Sequence, residues 1–281
     1  SSLNYDLFPR NFIMTLGRPE NYIGPKQVFG LLDDQSDKVE IIEEEIIDWH
    51  IDIDEKPYEG DWEEFVPDRH KKDYQVESLP DSLKDAIMFF IIGIVIRNIR
   101  GDKNEHKSML IHVTRYQDVQ RQIAELVNDF IDEMFDEVMS PQKNSVGKNY
   151  LFENFEVLYD REFKNKINEE KYSPISWKEI EKNIKHGINS LKEHVFEING
   201  TVKDNIDEAN YPDGLNSIRI GGDKLSRGLT LPGLMTSYFL RTSKMYDTLM
   251  QMGRWFGYRD RYEDLCSIFK TGRLFTYYGH I

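Results

Sequence analysis

The chain has 281 residues, 39% of them hydrophobic and 12% aromatic, which is ample for a real core and for one large or two modest domains. Its single cysteine, Cys266, excludes an internal disulfide and a cysteine-based zinc cluster. The net charge of -14 excludes a uniformly basic nucleic-acid binder, yet residues 215–281 carry about +5 against about -19 for the rest, so the C-terminal part alone has a field that attracts phosphate.

The first residues are polar and aromatic, unlike a secretory leader, and the longest apolar run, Ala86–Ile96, is too short to span a bilayer. A cytoplasmic protein with no membrane partner is expected. Residues 1–30 are broken by Pro9, Gly17, Pro19, Gly24 and Pro25 and read as irregular structure. Residues 31–73 are dominated by acids, including Glu43, Glu44, Glu45, Asp48, Asp52 and Asp54, and read as a solvated or partly disordered insertion. Within them Asp54-Glu55-Lys56 has the acid-x-lysine spacing of a magnesium nuclease, a tripeptide that also arises by chance in acid-rich sequence. Residues 1–80 are thus expected to form an acidic accessory segment, and residues 81–281 the domain proper, with a helical insert at about 140–190.

Asp81 or Ser82 is placed to cap a helix running through Asp85, Met88, Ile92 and Val95 to Arg100. Its middle is apolar all round, which predicts deep burial. After a polar turn at residues 101–107, Ser108–Val113 reads as a buried parallel strand and residues 117–138 as a long amphipathic helix. Thr114 and Arg115 lie between the two, at the strand end where open α/β sheets place ligands. They read equally as a nucleic-acid contact and as a helix cap with a surface arginine.

Residues 149–185 read as charged helices, with Ser176-Trp177-Lys178-Glu179 spaced as a capping box. His186 has no second ligand at metal-binding spacing and reads as a surface residue. Val195–Ile198 is a further strand, and residues 201–214 are a polar loop. The run Ile218-Arg219-Ile220 meets Gly221-Gly222, where the backbone must turn sharply or approach something closely. A Leu-Pro-Gly turn at residues 231–233 leads to the apolar run Leu234–Leu240, then a helical pattern from Ser243, then a strand-like run around Cys266, whose thiol reads as buried and structural. This alternation is the grammar of an α/β fold, a parallel sheet flanked by helices.

The helical pattern after Ser243 has two opposed stripes. Met245, Leu249, Met252 and Phe256 form an apolar one, and Asp247, Gln251, Arg254 and Tyr258 a polar one that expects a polar or anionic partner. Trp255 and Phe256 are candidates for stacking on bases, though Phe256 falls on the apolar stripe and is better placed for packing.

Residues 222–231, GDKLSRGLTL, resemble motif V of superfamily-two helicases, and residues 251–259, QMGRWFGYR, resemble motif VI. More narrowly, LSRGLTLPGL followed by YDTLMQMGRWFGYR resembles the Z1 domain, found in bacterial proteins often described as candidate endonucleases. The likeness extends to SMLIHV at residues 108–113, the counterpart of motif IV, and to LFPRNFI at residues 7–13.

The resemblance implies a RecA-like domain that closes over ATP and Mg2+ held by a first RecA-like domain elsewhere in the full-length protein, with DNA as the partner. Arg254 and Arg259 would then reach the terminal phosphate, with Gln251 beside them. Arg227 and Gly228 would couple nucleotide state to the nucleic-acid strand, with Lys224 and Thr230 among its contacts. Two departures from the family pattern stand out. Arg254 and Arg259 are five apart, about 140° round an ideal helix, so they converge only if the helix ends or bends near Gly257. Thr230 replaces an acid often seen nearby, which puts a ribose contact in doubt.

The chain contains no Gly-x-x-x-x-Gly-Lys-Ser/Thr phosphate loop and no strand ending in an acidic metal-holding motif. No ATP hydrolysis, bound nucleotide or metal is therefore expected of this chain alone. The alternatives are a metal-dependent endonuclease, with Asp54 and Lys56 as its one weak candidate, and a non-catalytic adaptor that binds DNA or protein.

Overall fold

The structure is a computed structural model that describes residues 42–45, 65–67, 70–139, 150–164, 172–198, 206–222, 231–240 and 261–270. In chain order these residues form β1 (Ile42–Glu45), α1 (Asp81–Ile99), β2 (Lys107–His112), α2 (Gln117–Met139), α3 (Tyr150–Glu162), α4 (Trp177–Asn189), β3 (Val195–Ile198), β4 (Asn216–Gly221), β5 (Leu234–Phe239) and β6 (Ser267–Lys270). The strands make a six-stranded sheet in the order β1-β6-β5-β2-β4-β3, every neighbouring pair parallel.

The order follows from which strands can afford burial on both sides. All six residues of β2 are buried, and β2 lies between β5 and β4. Its residues Met109 and Ile111, with Ile218 and Ile220 of β4, belong to the main core, which takes in Ile87 and Ile91 of α1, Val119, Ile123 and Val127 of α2, Phe155 and Leu158 of α3, and Ile180, Ile184 and Ile188 of α4. The alternate residues Leu110, Leu234 and Ile198 form a smaller cluster with Ile206 and Leu231. Each aliphatic or aromatic side chain so buried contributes on the order of 1.5–3 kcal/mol.

Every residue of α1 from Ala86 to Arg97 is buried, as its uniformly apolar middle requires. The start of this helix corrects the sequence reading. Neither Asp81 nor Ser82 caps it; Pro80 occupies the N-cap position in an extended conformation without a side-chain cap. Asp81 lies inside the first turn and pairs with Lys84 at 3.2 Å, while the Ser82 hydroxyl meets the Tyr238 hydroxyl at 2.9 Å. Proline lacks the amide hydrogen that a helix start would leave unbonded, so little is lost by its position. The capping box of α4 forms as the spacing predicts: the Ser176 backbone N–H and hydroxyl both donate to Glu179 Oε2, at 2.9 and 2.8 Å. These bonds, the backbone one foremost, hold the Glu179 carboxyl below its ordinary pKa.

The acid-rich stretch is not wholly a solvated insertion. Ile42–Glu45 forms the edge strand β1 beside β6. An edge strand pairs on one side only, and charge along it discourages pairing with another molecule. Phe65, Val66, Val76 and Leu79, also N-terminal to α1, lie in the main core.

The edge of the sheet at the strand N-termini is tied together by buried charge. Arg100 forms a two-pronged ion pair with Asp264 at 2.8 and 2.7 Å and lies over the Tyr172 ring at 3.9 Å. Arg97 lies over Tyr262 at 3.8 Å and 3.6 Å from Asp102, which also pairs with Arg261 at 3.2 Å. Lys107 is fully buried, and its Nζ donates to the carbonyls of Asp102 and Glu105 at 2.7 and 2.9 Å. Gly233, in the Leu-Pro-Gly turn, has φ +65, and a Cβ there would lie 1.7 Å from the His106 carbonyl oxygen.

Candidate functional site

Because the sheet is all parallel, the C-terminal ends of β2, β4 and β5 come to one edge, with Thr114 and Arg115 after β2, Gly222 after β4 and Leu240 after β5. His112, the last residue of β2, stacks on Phe239 of β5 with ring centroids 4.9 Å apart, and the Leu240 amide donates to the His112 carbonyl at 3.1 Å.

Thr114 turns the chain from strand to helix. Its hydroxyl accepts the Tyr116 N–H at 3.1 Å, and the Tyr116 carbonyl accepts the Gln120 N–H at 3.0 Å, which starts α2. Gln120 Nε2 donates back to the Thr114 carbonyl at 2.8 Å. A carbonyl can only accept, so this contact fixes which way the Gln120 amide points. The opposite amide atom, Oε1, is buried and meets no donor among the described residues.

Gly222 lies against this turn. A Cβ on it would come within 2.9 Å of Gln120 Nε2 and 3.2 Å of both the Thr114 oxygen and the Arg115 Cα. The close approach read from the paired glycines is therefore made, and its partner is the backbone that carries Thr114 and Arg115.

A strap from the N-terminal side completes the edge. His70 Nδ1 donates to the Pro67 carbonyl at 2.6 Å, which in the neutral ring leaves Nε2 as the acceptor for the Thr114 hydroxyl, also at 2.6 Å. The His70 ring stands edge-on to Tyr116, centroids 5.2 Å apart, and to Tyr74 at 6.0 Å. Farther along, Gln122 accepts from the Val76 N–H at 2.9 Å and donates to the Tyr74 carbonyl at 3.1 Å. Residues 70–76 thus run beside the first turns of α2.

Thr114 and Arg115 face different surroundings. Thr114 is 1% exposed and its hydroxyl is engaged inside the turn by His70 and Tyr116. Arg115 is exposed; it donates to the Tyr116 hydroxyl at 2.8 Å and its guanidinium lies 4.9 Å from the Tyr116 ring centroid. The N-terminal end of α2, whose free N–H groups favour negative charge, opens on the same edge.

The other candidates, Lys224, Arg227, Gly228, Thr230, Gln251, Arg254 and Arg259, lie outside the described residues, as do Asp54 and Lys56. By connectivity, residues 223–230 follow directly on Gly222, and residues 241–260 directly on Leu240. His186 is exposed, and Cys266 is buried with its thiol 3.6 Å from the Tyr262 carbonyl.

Several residues at or near the site carried no sequence signal. His70 reaches Thr114 across 44 positions, and Gln120 looked like one more polar residue of an amphipathic helix. Arg219, which the sequence places inside a β-branched run, is 2% exposed and paired with Glu208 at 3.1 Å and Ser217 at 3.2 Å. Burial lowers its pKa, and the Glu208 carboxylate partly offsets that.

Among the described residues no group of three or more His, Cys, Asp or Glu could hold a metal ion, and no helix is long and apolar enough to cross a membrane. A family model described as Z1 domain matches residues 82–281. Neither a curated protein nor a solved structure matches the chain.

Proposed function

This chain belongs to the Z1 domain family, and from that premise we propose that it is the second RecA-like module of a helicase-like ATPase that processes DNA in bacterial restriction, repair or phage defence. The observation that carries the reading is the common edge of the sheet. The chain leaves β4 at Gly222 into the motif V-like stretch and leaves β5 at Leu240 into the motif VI-like stretch, beside Arg115 and the start of α2. In this reading ATP and Mg2+ are held by a first RecA-like domain, since this chain has no phosphate loop. ATP supplies the free energy of closure. Arg254, with Arg259 as the second cation and Gln251 beside them, stabilises negative charge at the terminal phosphate. Arg227 and Gly228 relay closure to DNA, which Thr114, Arg115, Lys224 and Thr230 border.

The test is ATPase and strand-separation activity of the intact protein that carries both modules. Arg254→Ala is expected to lower turnover by about 10³-fold with nucleotide still bound, the scale of an arginine that acts on the transferred phosphoryl group. Unchanged turnover would instead favour an adaptor whose motifs no longer act. The description attached to the family favours a second reading, a metal-dependent endonuclease. Magnesium-dependent nicking of plasmid DNA that disappears in Asp54→Ala would establish that reading in place of the first.

A further inference from the structure

We propose that Arg261 is a positioning residue for the motif VI-like stretch: its left-handed backbone and its contacts with Asp102 and Arg100 fix the point at which that stretch rejoins the sheet, and so aim the Arg259 guanidinium. The inference rests on the reading of Arg254 and Arg259 as the cations that meet a terminal phosphate, and it adds a residue that lies outside both motif segments.

Arg261 adopts a backbone conformation that its own side chain disfavours. Its φ is +75, a region that a Cβ makes costly and that glycine enters freely. Backbone geometry alone would favour glycine, yet an arginine occupies the position, and contacts of its side chain offset the strain. One guanidinium nitrogen lies 3.2 Å from Asp102 Oδ1, and another donates to the Arg100 carbonyl at 3.3 Å. Arg100 returns the contact to the Arg261 carbonyl at 3.4 Å while it holds Asp264. The frame that Arg261 grips is rigid, because the Asp102 and Asp264 side chains are both over nine-tenths buried. Asp102 also faces Arg97 at 3.6 Å, and its carbonyl accepts from Lys107 Nζ at 2.7 Å. The next residue goes the other way: Tyr262 is buried with its ring against Arg97, and its carbonyl accepts the Leu265 N–H at 3.0 Å. The left-handed step thus separates an exposed Arg261 from a buried Tyr262 and fixes the direction of the chain between them.

Connectivity carries this to the arginines of the stretch. The chain leaves β5 at Leu240 on one edge of the sheet and reaches Arg261 on the opposite edge, at the start of the turn into β6. Arg259 precedes Arg261 by two residues, a reach of at most about 7 Å of extended chain. A backbone that turns differently at Arg261 therefore re-aims Arg259.

The experiment is steady-state ATP hydrolysis by the intact protein that carries both modules, with thermal unfolding of the same samples and each assay run well below the melting temperature. Arg261→Gly leaves the left-handed backbone accessible and removes the contacts with Asp102 and Arg100. It is expected to lower kcat by about 10- to 100-fold with KM for ATP unchanged, the scale of a small misplacement at the reacting centre. Asp102→Asn, which weakens the grip without altering Arg261, is expected to lower kcat by a smaller factor. Arg261→Ala is expected to melt below Arg261→Gly, since only glycine takes φ +75 without strain. Wild-type kcat in Arg261→Gly, a rise in KM in place of the fall in kcat, or equal melting of the Ala and Gly variants would overturn this inference and leave the ATPase reading standing. A loss in Arg261→Gly with normal kcat in Asp102→Asn would also overturn it, because Arg261 would then meet the phosphate itself. No hydrolysis by the wild type would overturn both readings.

Discussion

Lys107 holds an ammonium group in a place that offers it backbone carbonyls and little else. It is fully buried at the start of β2, and burial, with Arg97 nearby, lowers its pKa to about 8 despite the pull of Asp102 and Glu105. The pH dependence follows from linkage. Below about 8 the group is protonated in both states and the fold carries the whole cost of burying the charge. Between about 8 and the ordinary lysine value of 10.5, the folded protein has released the proton while the unfolded chain still binds it. Stability therefore rises with pH across that window. Urea unfolding of the wild type and Lys107→Met at pH 7, 8.5 and 9.5 is expected to show the difference between them moving in favour of the wild type as pH rises. A constant difference would mean that the lysine is hydrated. Two glycines are equally specific. Gly233→Ala is expected to cost more than about 3 kcal/mol, because a left-handed backbone and a clash with the His106 carbonyl oxygen have no flexible side chain to yield. Gly222→Ala is expected to cost about 1–3 kcal/mol in thermal unfolding, because the Gln120 amide can shift but the Thr114 and Arg115 backbone cannot.

Between elements, the Arg100–Asp264 pair joins the end of α1 to the turn that leads into β6, and so anchors the chain where it returns from residues 241–260. Both side chains are over nine-tenths buried. Arg100→Ala leaves the Asp264 carboxylate buried without its main partner, and chemical denaturation is expected to show a loss of about 3–5 kcal/mol. Adding Asp264→Ala is expected to recover part of that loss, since it removes the stranded charge; an additive double variant would mean that the two groups do not interact. Elements whose cause is local were legible in the sequence. The existence and burial of α1 follow from its apolar middle, and the start of α4 from Ser176 and Glu179. Pro80 was missed as the cap because the sequence offered two better capping side chains, of which Asp81 pairs with Lys84 within the first turn and Ser82 meets Tyr238 of β5.

At the scale of the molecule, a parallel sheet converts distant stretches of chain into neighbours on one edge, and the proposed chemistry depends on that conversion. If the edge is the working surface, Arg115→Ala in the intact protein is expected to reduce affinity for single-stranded DNA and lower the magnitude of its salt slope by about 0.7, with turnover at saturating DNA little changed. An unchanged salt slope would remove Arg115 from the interface. The sequence by itself determined the α/β class, the buried run of β2 and the family, and at Gly222 it left a sharp turn or a close approach, because hydrophobic periodicity, glycine geometry and contiguous motifs are properties of neighbouring residues. Only the tertiary structure decided that an acid-rich stretch supplies an edge strand, that His70 holds Thr114, and that Gly222 packs on Gln120. Those relations join residues far apart in the chain, and no local preference of either partner records them before the sheet brings them together.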